Sequence, residues 1–268
     1  MRVATAHDTK VRLVALREGI RAAGDELVQA GELADVAIAS NWGNALHLQK
    51  AGYRVAVCEC GWLGNRNWWC SLSLDGLNGN GIHVEAPHRP APELEPWRAR
   101  ESGYALLLGQ VPQDWAVKCA LNGMPYAQWL HETTRVLERA YGFEVRYRMH
   151  PEVYMLQPHE PEPPRARLMR TRARIPKAGQ PSLRAELEGA QIAVTLNSTA
   201  AVDAIVMGVP TVVWDRRGCM AAPVSARFGP RLLEEPGRRA WVNRLARLQW
   251  SMEELRDGSA WKAIRGVL

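Results

Sequence analysis

The side chains able to do chemistry stand in short polar segments, each placed where an apolar run stops. Asn197-Ser198-Thr199 follows Ile192-Ala193-Val194-Thr195-Leu196 and leads into Ala200-Ala201-Val202-Asp203, a buried strand turning into a helix. A helix start offers unpaired amides and the positive end of the helix dipole. Ser198 and Thr199 add hydroxyl donors and are small enough to let a phosphate approach. The same residues also serve as a plain N-cap, and both readings stand at this point. Arg148-Met149-His150-Pro151 is a second strand end, with an extended exit imposed by the proline. Arg148 and His150 share one side of it and are two donors for a diphosphate, or a structural pair. Glu59, in Cys58-Glu59-Cys60-Gly61, ends another apolar run. It is a candidate general base, or a satisfied charge on a strand tip. His7-Asp8 is the other acid–base candidate. Asp75, in Leu74-Asp75-Gly76-Leu77-Asn78, reads as a turn residue. Gln110 lies in a polar loop, residues 109–114, that faces a ligand or a linker. No GxSxG, HExxH, P-loop or GxGxxG pattern occurs.

The elements that must position these groups alternate. Residues 3–6 read as a strand, and 11–23 as a helix with Val11, Val14, Ala15, Arg17 and Ile20 on one stripe. Residues 35–40 read as a strand, 41–44 as a turn, 45–51 as a helix stopped by Gly52, and 53–60 as a strand. Helices of about ten residues between strands imply parallel βαβ units. Residues 61–81 hold five glycines, four asparagines and three tryptophans and read as a long irregular loop of the functional kind. A proline-rich linker follows at 87–96. The second half predicts strands at 104–108, 145–148, 192–196 and 211–214 and helices at 126–141, 183–187 and 200–207. A Pro/Arg-rich excursion occupies 157–177, Gly208-Val209-Pro210 makes a tight return, and Ser251-x-x-Glu254 is a capping box near the C-terminus. Ligands of open parallel sheets sit at the carboxyl ends of the strands, so two such halves place the expected site in the cleft between them.

Composition narrows the setting. Hydrophobic residues at 47% and charged residues at 23% suit a soluble globular protein. No apolar run reaches the roughly 18 residues of a bilayer span, and the start has no signal-peptide layout, so a cytoplasmic protein is expected. The five cysteines include no CxxC pair and are expected to be free thiols. A net charge of +6, with arginines dense at 165–174 and 238–247, allows nucleic acid or a phosphorylated substrate as partner, although many soluble proteins are as basic. Eleven tryptophans against two phenylalanines supply flat surfaces for stacking on ring-shaped ligands.

Arg148-x-His150-Pro151, the segment from Leu196 to Ala204, and Gly208-Val209-Pro210-Thr211-Val212-Val213 together resemble the C-terminal half of GT-B nucleotide-sugar glycosyltransferases. Glu59-Cys60-Gly61-Trp62-Leu63 and Asp75-Gly76-Leu77-Asn78 are similar to stretches of the capsular-polysaccharide, Kdo-transferase-like branch. Trp214-Asp215 and Gln249-Trp250-Ser251-Met252-Glu253-Glu254-Leu255 resemble small bacteriophage glycosyltransferases. The resemblance implies an α/β, GT-B-like fold of two Rossmann-like domains facing across a cleft. Residues 1–95 would form the acceptor side, 100–244 the nucleotide-sugar side, and 245–268 would pack back on the first domain. Asn197, Ser198 and Thr199 would hold the donor diphosphate, with Asp203 near the donor ribose or sugar and Gln110 near the base. Arg148 and His150 would neutralise the leaving group. Glu59 is the implied acceptor base, and Asp75 joins it among the catalytic candidates. The co-substrate expected is a UDP-sugar, with no cofactor and no obligatory metal. The acceptor expected first is 5-hydroxymethylcytosine in double-stranded phage DNA, contacted by Arg66, Trp68, Trp69, Arg170 and Arg172 around a flipped base. The alternatives are a capsule or envelope glycan acceptor and a non-catalytic DNA- or sugar-binding protein.

Overall fold

Short apolar runs become strands, and the polar-faced segments between them become helices packed on the resulting sheets. In chain order the first elements are β1 (Arg2–Thr5), α1 (Val11–Ala22), β2 (Glu26–Gln29), β3 (Val36–Ala39), α2 (Trp42–Lys50), β4 (Val55–Cys60), β5 (Trp69–Leu74) and β6 (Ile82–His83). They are followed by β7 (Tyr104–Leu108), α3 (Trp115–Leu121), α4 (Tyr126–Tyr141), β8 (Glu144–Arg148), β9 (Arg167–Met169), α5 (Leu183–Gly189), β10 (Ala190–Thr195), α6 (Ala200–Val206) and β11 (Thr211–Val213). The chain closes with α7 (Arg238–Arg247), β12 (Gln249–Ser251), α8 (Met252–Arg256) and α9 (Ser259–Arg265). This computed structural model describes all residues except 7, 67, 88, 99–101, 151–166, 170–181, 230 and 231, and for 167–169 the backbone alone. It divides into two units, Met1–Pro92 with Arg239–Leu268, and Glu93–Arg238.

The first unit is built on a sheet of order β12-β5-β4-β3-β1-β2, with β6 also on β5. Strands β1 to β4 are mutually parallel, and β5, β6 and β12 run antiparallel to their neighbours. The parallel order 2-1-3-4 is that of doubly wound sheets whose order reverses between β1 and β3. One face packs Val3, Ile38, Cys58 and Leu72 against α1, α8 and α9. The other packs Ala37, Val55 and Val57 against Ala45 of α2.

Several elements differ from the sequence reading. The buried stripe of α1 is Leu13, Leu16 and Ile20, whereas Val11 is 67% exposed. Arg17 leaves the apolar stripe to bond Thr5 Oγ1 and the carbonyls of Ala6 and Asp8. Helix α2 begins at Trp42 because the Asn41 side chain accepts from the Asn44 amide at 2.8 Å. The expected irregular loop contains β5, paired in register Glu59↔Ser71 and Cys60↔Cys70. Its serines tolerate burial because Ser71 Oγ donates to the Cys60 carbonyl and Ser73 Oγ to the Gly76 carbonyl. Strand β2 and helix α3 were not expected; Asp114 caps α3 by accepting from the Ala116 amide at 3.0 Å.

The second unit has an all-parallel sheet of order β11-β10-β7-β8-β9. Counted within the unit this is the 3-2-1-4-5 order of the Rossmann fold, with its switch point between β7 and β10. Leu107, Val145, Tyr147 and Val194 pack one face against α3 and α4, and Leu106, Leu108 and Ala193 pack the other against α5 and α6. Gly208 turns the chain back from α6 with a φ of 77°, and a side chain there would meet the Pro96 carbonyl.

Candidate functional site

Two carboxyl edges, one in each unit, collect most of the expected residues. In the second unit the strand ends of β7, β10 and β11 are tied by side-chain amides. Gln110 Nε2 donates to Asn197 Oδ1 at 2.7 Å, and Gln110 Oε1 accepts from the Asn197 amide at 3.0 Å. Asn197 Nδ2 in turn donates to Asp215 Oδ2 at 3.0 Å, and Asp215 Oδ1 accepts from the amides of Arg217 and Gly218. This network lies at the switch point, where open α/β sheets hold ligands. Gln110 therefore positions Asn197 with both atoms of its amide. Ser198 Oγ accepts from the Ala200 amide at 3.2 Å, one residue ahead of the N-cap position, which Thr199 occupies without a side-chain cap bond. Thr199 and Asp203 are half-buried in the same turn and helix.

Arg148 ends β8 beside this network and His150 follows it, half-buried. The Arg148 guanidinium pairs with Glu186 of α5, whose side chain is 1% exposed. Burial pulls Arg148 down to about 10, which leaves it cationic at neutral pH. The pair turns one face of Arg148 inward, so its charge is not wholly at the disposal of a ligand. Cys219, whose Sγ lies 3.8 Å from the Ser198 carbonyl, is an inert thiol pushed up to about 12 by burial.

In the first unit the edge is ionic. Glu59 Oε2 accepts from Arg12 Nη2 at 3.1 Å and from the Cys60 amide at 3.2 Å. Asp8 accepts from Ser40 Oγ and from the Lys10 amide, across the β1/β3 switch point. Burial works against the Asp8 charge, and these bonds, with Lys10 and Arg17 nearby, outweigh it and hold the carboxyl below its usual range. Trp69 opens β5 opposite Gly61 and carries the Arg89 guanidinium 5.0 Å from its ring centroid. Trp68 is 65% exposed beside it, and Arg66 is half-buried in the same loop. Only glycine fits at 61, where a Cβ would meet Gln249 Oε1 at 2.7 Å and Trp69 Cβ at 2.8 Å. Gln249 accepts from the Trp62 and Leu63 amides and so shapes this loop from β12.

Asp75 does not join Glu59. The antiparallel register of β5 carries it to the opposite end of β4, four residues or about 13 Å away at ~3.3 Å per residue. There its carboxylate accepts from the Val55 amide at 3.0 Å and from Arg54 Nη2 at 2.8 Å, and its φ of 58° makes a turn. The structure thus places Asp75 in a turn, apart from Glu59. Arg170 and Arg172 lie outside the described residues, as does His7. The sequence reading missed Arg12, Glu186 and Gln249 as site-shaping residues and did not single out Asp215 for a role. Asp215 had a usable signal, being the polar residue just past a β11 read correctly as a strand. Among the described residues no group of three or more His, Cys, Asp or Glu is arranged to hold a metal ion, and no helix is long and apolar enough to cross a membrane.

Sheet order and edge chemistry thus define a protein of two doubly wound α/β units, a mixed α/β fold with parallel sheets. No family model matches the sequence, and no curated protein does. Among solved structures the chain is similar to the beta Kdo 2,7 transferase of Thermosulfurimonas dismutans KpsC, with a TM-score of 0.55 and 12% identity over 98% of this chain and 100% of that one. It also matches the beta Kdo 2,4 transferase of the same KpsC, with a TM-score of 0.48 and 12% identity over 78% of this chain and 79% of that one.

Proposed function

We propose that this chain is a GT-B-type glycosyltransferase that moves a sugar from a nucleotide-sugar donor to a hydroxyl of a capsule or other envelope glycan. The observation that carries the proposal is the likeness in fold, end to end, to the beta Kdo 2,7 transferase of KpsC. It favours the glycan acceptor over hydroxymethylated DNA, since that structure is described as a Kdo transferase.

On this reading the second unit binds the donor. The backbone amides and hydroxyls of Ser198 and Thr199 meet its phosphate, held in place by the Gln110–Asn197–Asp215 network. Arg148 and His150 face the leaving group, where fixed positive charge counters the charge that develops as the glycosidic bond breaks. Asp203 reaches toward the donor sugar. Glu59 of the first unit takes the proton from the acceptor hydroxyl as it attacks the anomeric carbon.

The test is a transfer assay with labelled UDP-glucose and a nucleotide-linked Kdo, each offered a Kdo-terminated oligosaccharide and 5-hydroxymethylcytosine DNA. The expected result is label on the oligosaccharide from one donor, lost in Glu59→Gln with donor binding retained. Label on DNA alone would restore the DNA acceptor. Failure of the protein to bind either nucleotide sugar by calorimetry would count against the transferase reading.

A further inference from the structure

Register along β4 sets a puzzle that one side chain resolves. Successive residues of a strand face opposite sides. Val55 and Val57 face α2, whereas Ala56 and Cys58 face α1. Glu59 therefore belongs to the α2 side and Cys60 to the α1 side. Arg12 stands in the first turn of α1, yet its guanidinium reaches both residues: Nη2 donates to Glu59 Oε2 at 3.1 Å and Nη1 to Cys60 Sγ at 3.1 Å. The Glu59 carboxylate also folds back onto the Cys60 amide. Its oxygen has been drawn around the end of its own strand, onto the carboxyl edge.

We infer that Arg12 is the positioning residue of Glu59, holding its carboxylate at the strand end and ionised there. The inference rests on the reading of Glu59 as acceptor base. A forked, planar guanidinium can hold a carboxylate and a thiol at once, whereas a lysine ammonium is a single point charge. Burial opposes the Arg12 charge, and Glu59, with the nearby Cys60, Cys58 and Cys70, outweighs it and holds the guanidinium above its ordinary value. Among the described residues that face this pair are the three thiols and Arg66, which acts on Cys60. Cys58 is kept protonated by its bond to Cys70 and by burial, and Cys60 by burial. Neither competes with Glu59 for Arg12 in the acid range.

The experiment follows the Glu59 carboxyl carbon by NMR in labelled full-length protein across pH 3–8, in the wild type, R12Q and R12K, with E59Q to assign the signal. Sugar transfer is measured over the same range. In R12Q the Glu59 titration is expected to move up by about one unit, and the acid limb of kcat to move with it. Near pH 6, above that limb, kcat falls about tenfold because the carboxylate is no longer held at the strand end, while the KM for donor stays put, and R12K recovers part of the loss. An unmoved Glu59 titration in R12Q, with E59Q inactive, overturns the inference alone. Full turnover in E59Q overturns the base reading and the inference with it. If R12Q fails to fold, R12K carries the same test: a wild-type titration and kcat there would overturn the need for a forked guanidinium.

Discussion

The two carboxyl edges solve the same problem with opposite chemistry. In the second unit, side-chain amides and the Asp215 carboxylate tie three strand ends, and the Arg148 charge is matched by a carboxylate buried beneath it. In the first unit, acids and bases meet at the surface of the edge, and the Arg12–Glu59 pair keeps about a fifth of each side chain exposed. A locked polar edge suits a ligand held in one pose. An ionic edge in partial reach of water suits a group that must gain and lose a proton. On the proposed reading, the same ion-pair motif serves stability in one unit and titration in the other.

Removing Glu186 breaks this comparison most severely. Glu186→Ala strands a buried guanidinium and should cost about 3–5 kcal/mol in urea denaturation, against at most ~1 kcal/mol for Arg12→Gln. Equal losses would show that the two pairs do the same work. Next comes Asp25, which accepts from Trp261 Nε1 at 2.7 Å, from Arg265 and from the N-terminal ammonium. Burial opposes its charge, but these three donors prevail and hold its carboxyl below the usual range. Its contribution is therefore complete above the unfolded value of about 3.9 and fades as pH falls through the lower folded value. Asp25→Asn should cost about 1.5–3 kcal/mol at pH 7 and flatten the acid-denaturation curve below pH 4. A curve that keeps its slope would assign acid sensitivity elsewhere.

Gln110→Ala should destabilise by about 1–3 kcal/mol, because the Asn197 amide and side chain lose their partner in a buried setting. Calorimetry on the same variant should show weaker nucleotide-sugar binding, which would sharpen the view that the locked edge is the binding edge. Trp68→Ala should leave the denaturation midpoint within about 0.5 kcal/mol of wild type, since the indole lies open at the ionic edge. A larger loss would mean that this loop is part of the core.

How much of this was legible depended on whether a residue's role was local. Residues 190–213 read correctly as strand, turn, helix and strand, because an uninterrupted apolar run, small polar residues and Gly208-Val209-Pro210 are all local signals. Strand β5 was hidden by its two buried serines, whose partners come from Cys60 and Gly76. Asp75 was grouped with Glu59 among the catalytic candidates, and the antiparallel register puts them at opposite ends of β4. Arg12 and Glu186 lie on helices as ordinary charged residues. Their meaning comes from partners 47 and 38 positions away. Gln249 is more remote still, reaching back 187 residues to the amide of Trp62.

That last contact has a consequence for the order of events during synthesis. Strand β12 pairs with β5, and Gln249 seats the loop after Glu59, so the first unit needs residues that leave the ribosome after the whole of Glu93–Arg238. Domains usually fold as they emerge, the N-terminal one first. Here the middle of the chain is ready earlier. Until the last strand arrives, β5 presents an unpaired edge over the Trp69–Ser71 stretch where β12 will dock, and an open edge of that kind is a template for association with other chains.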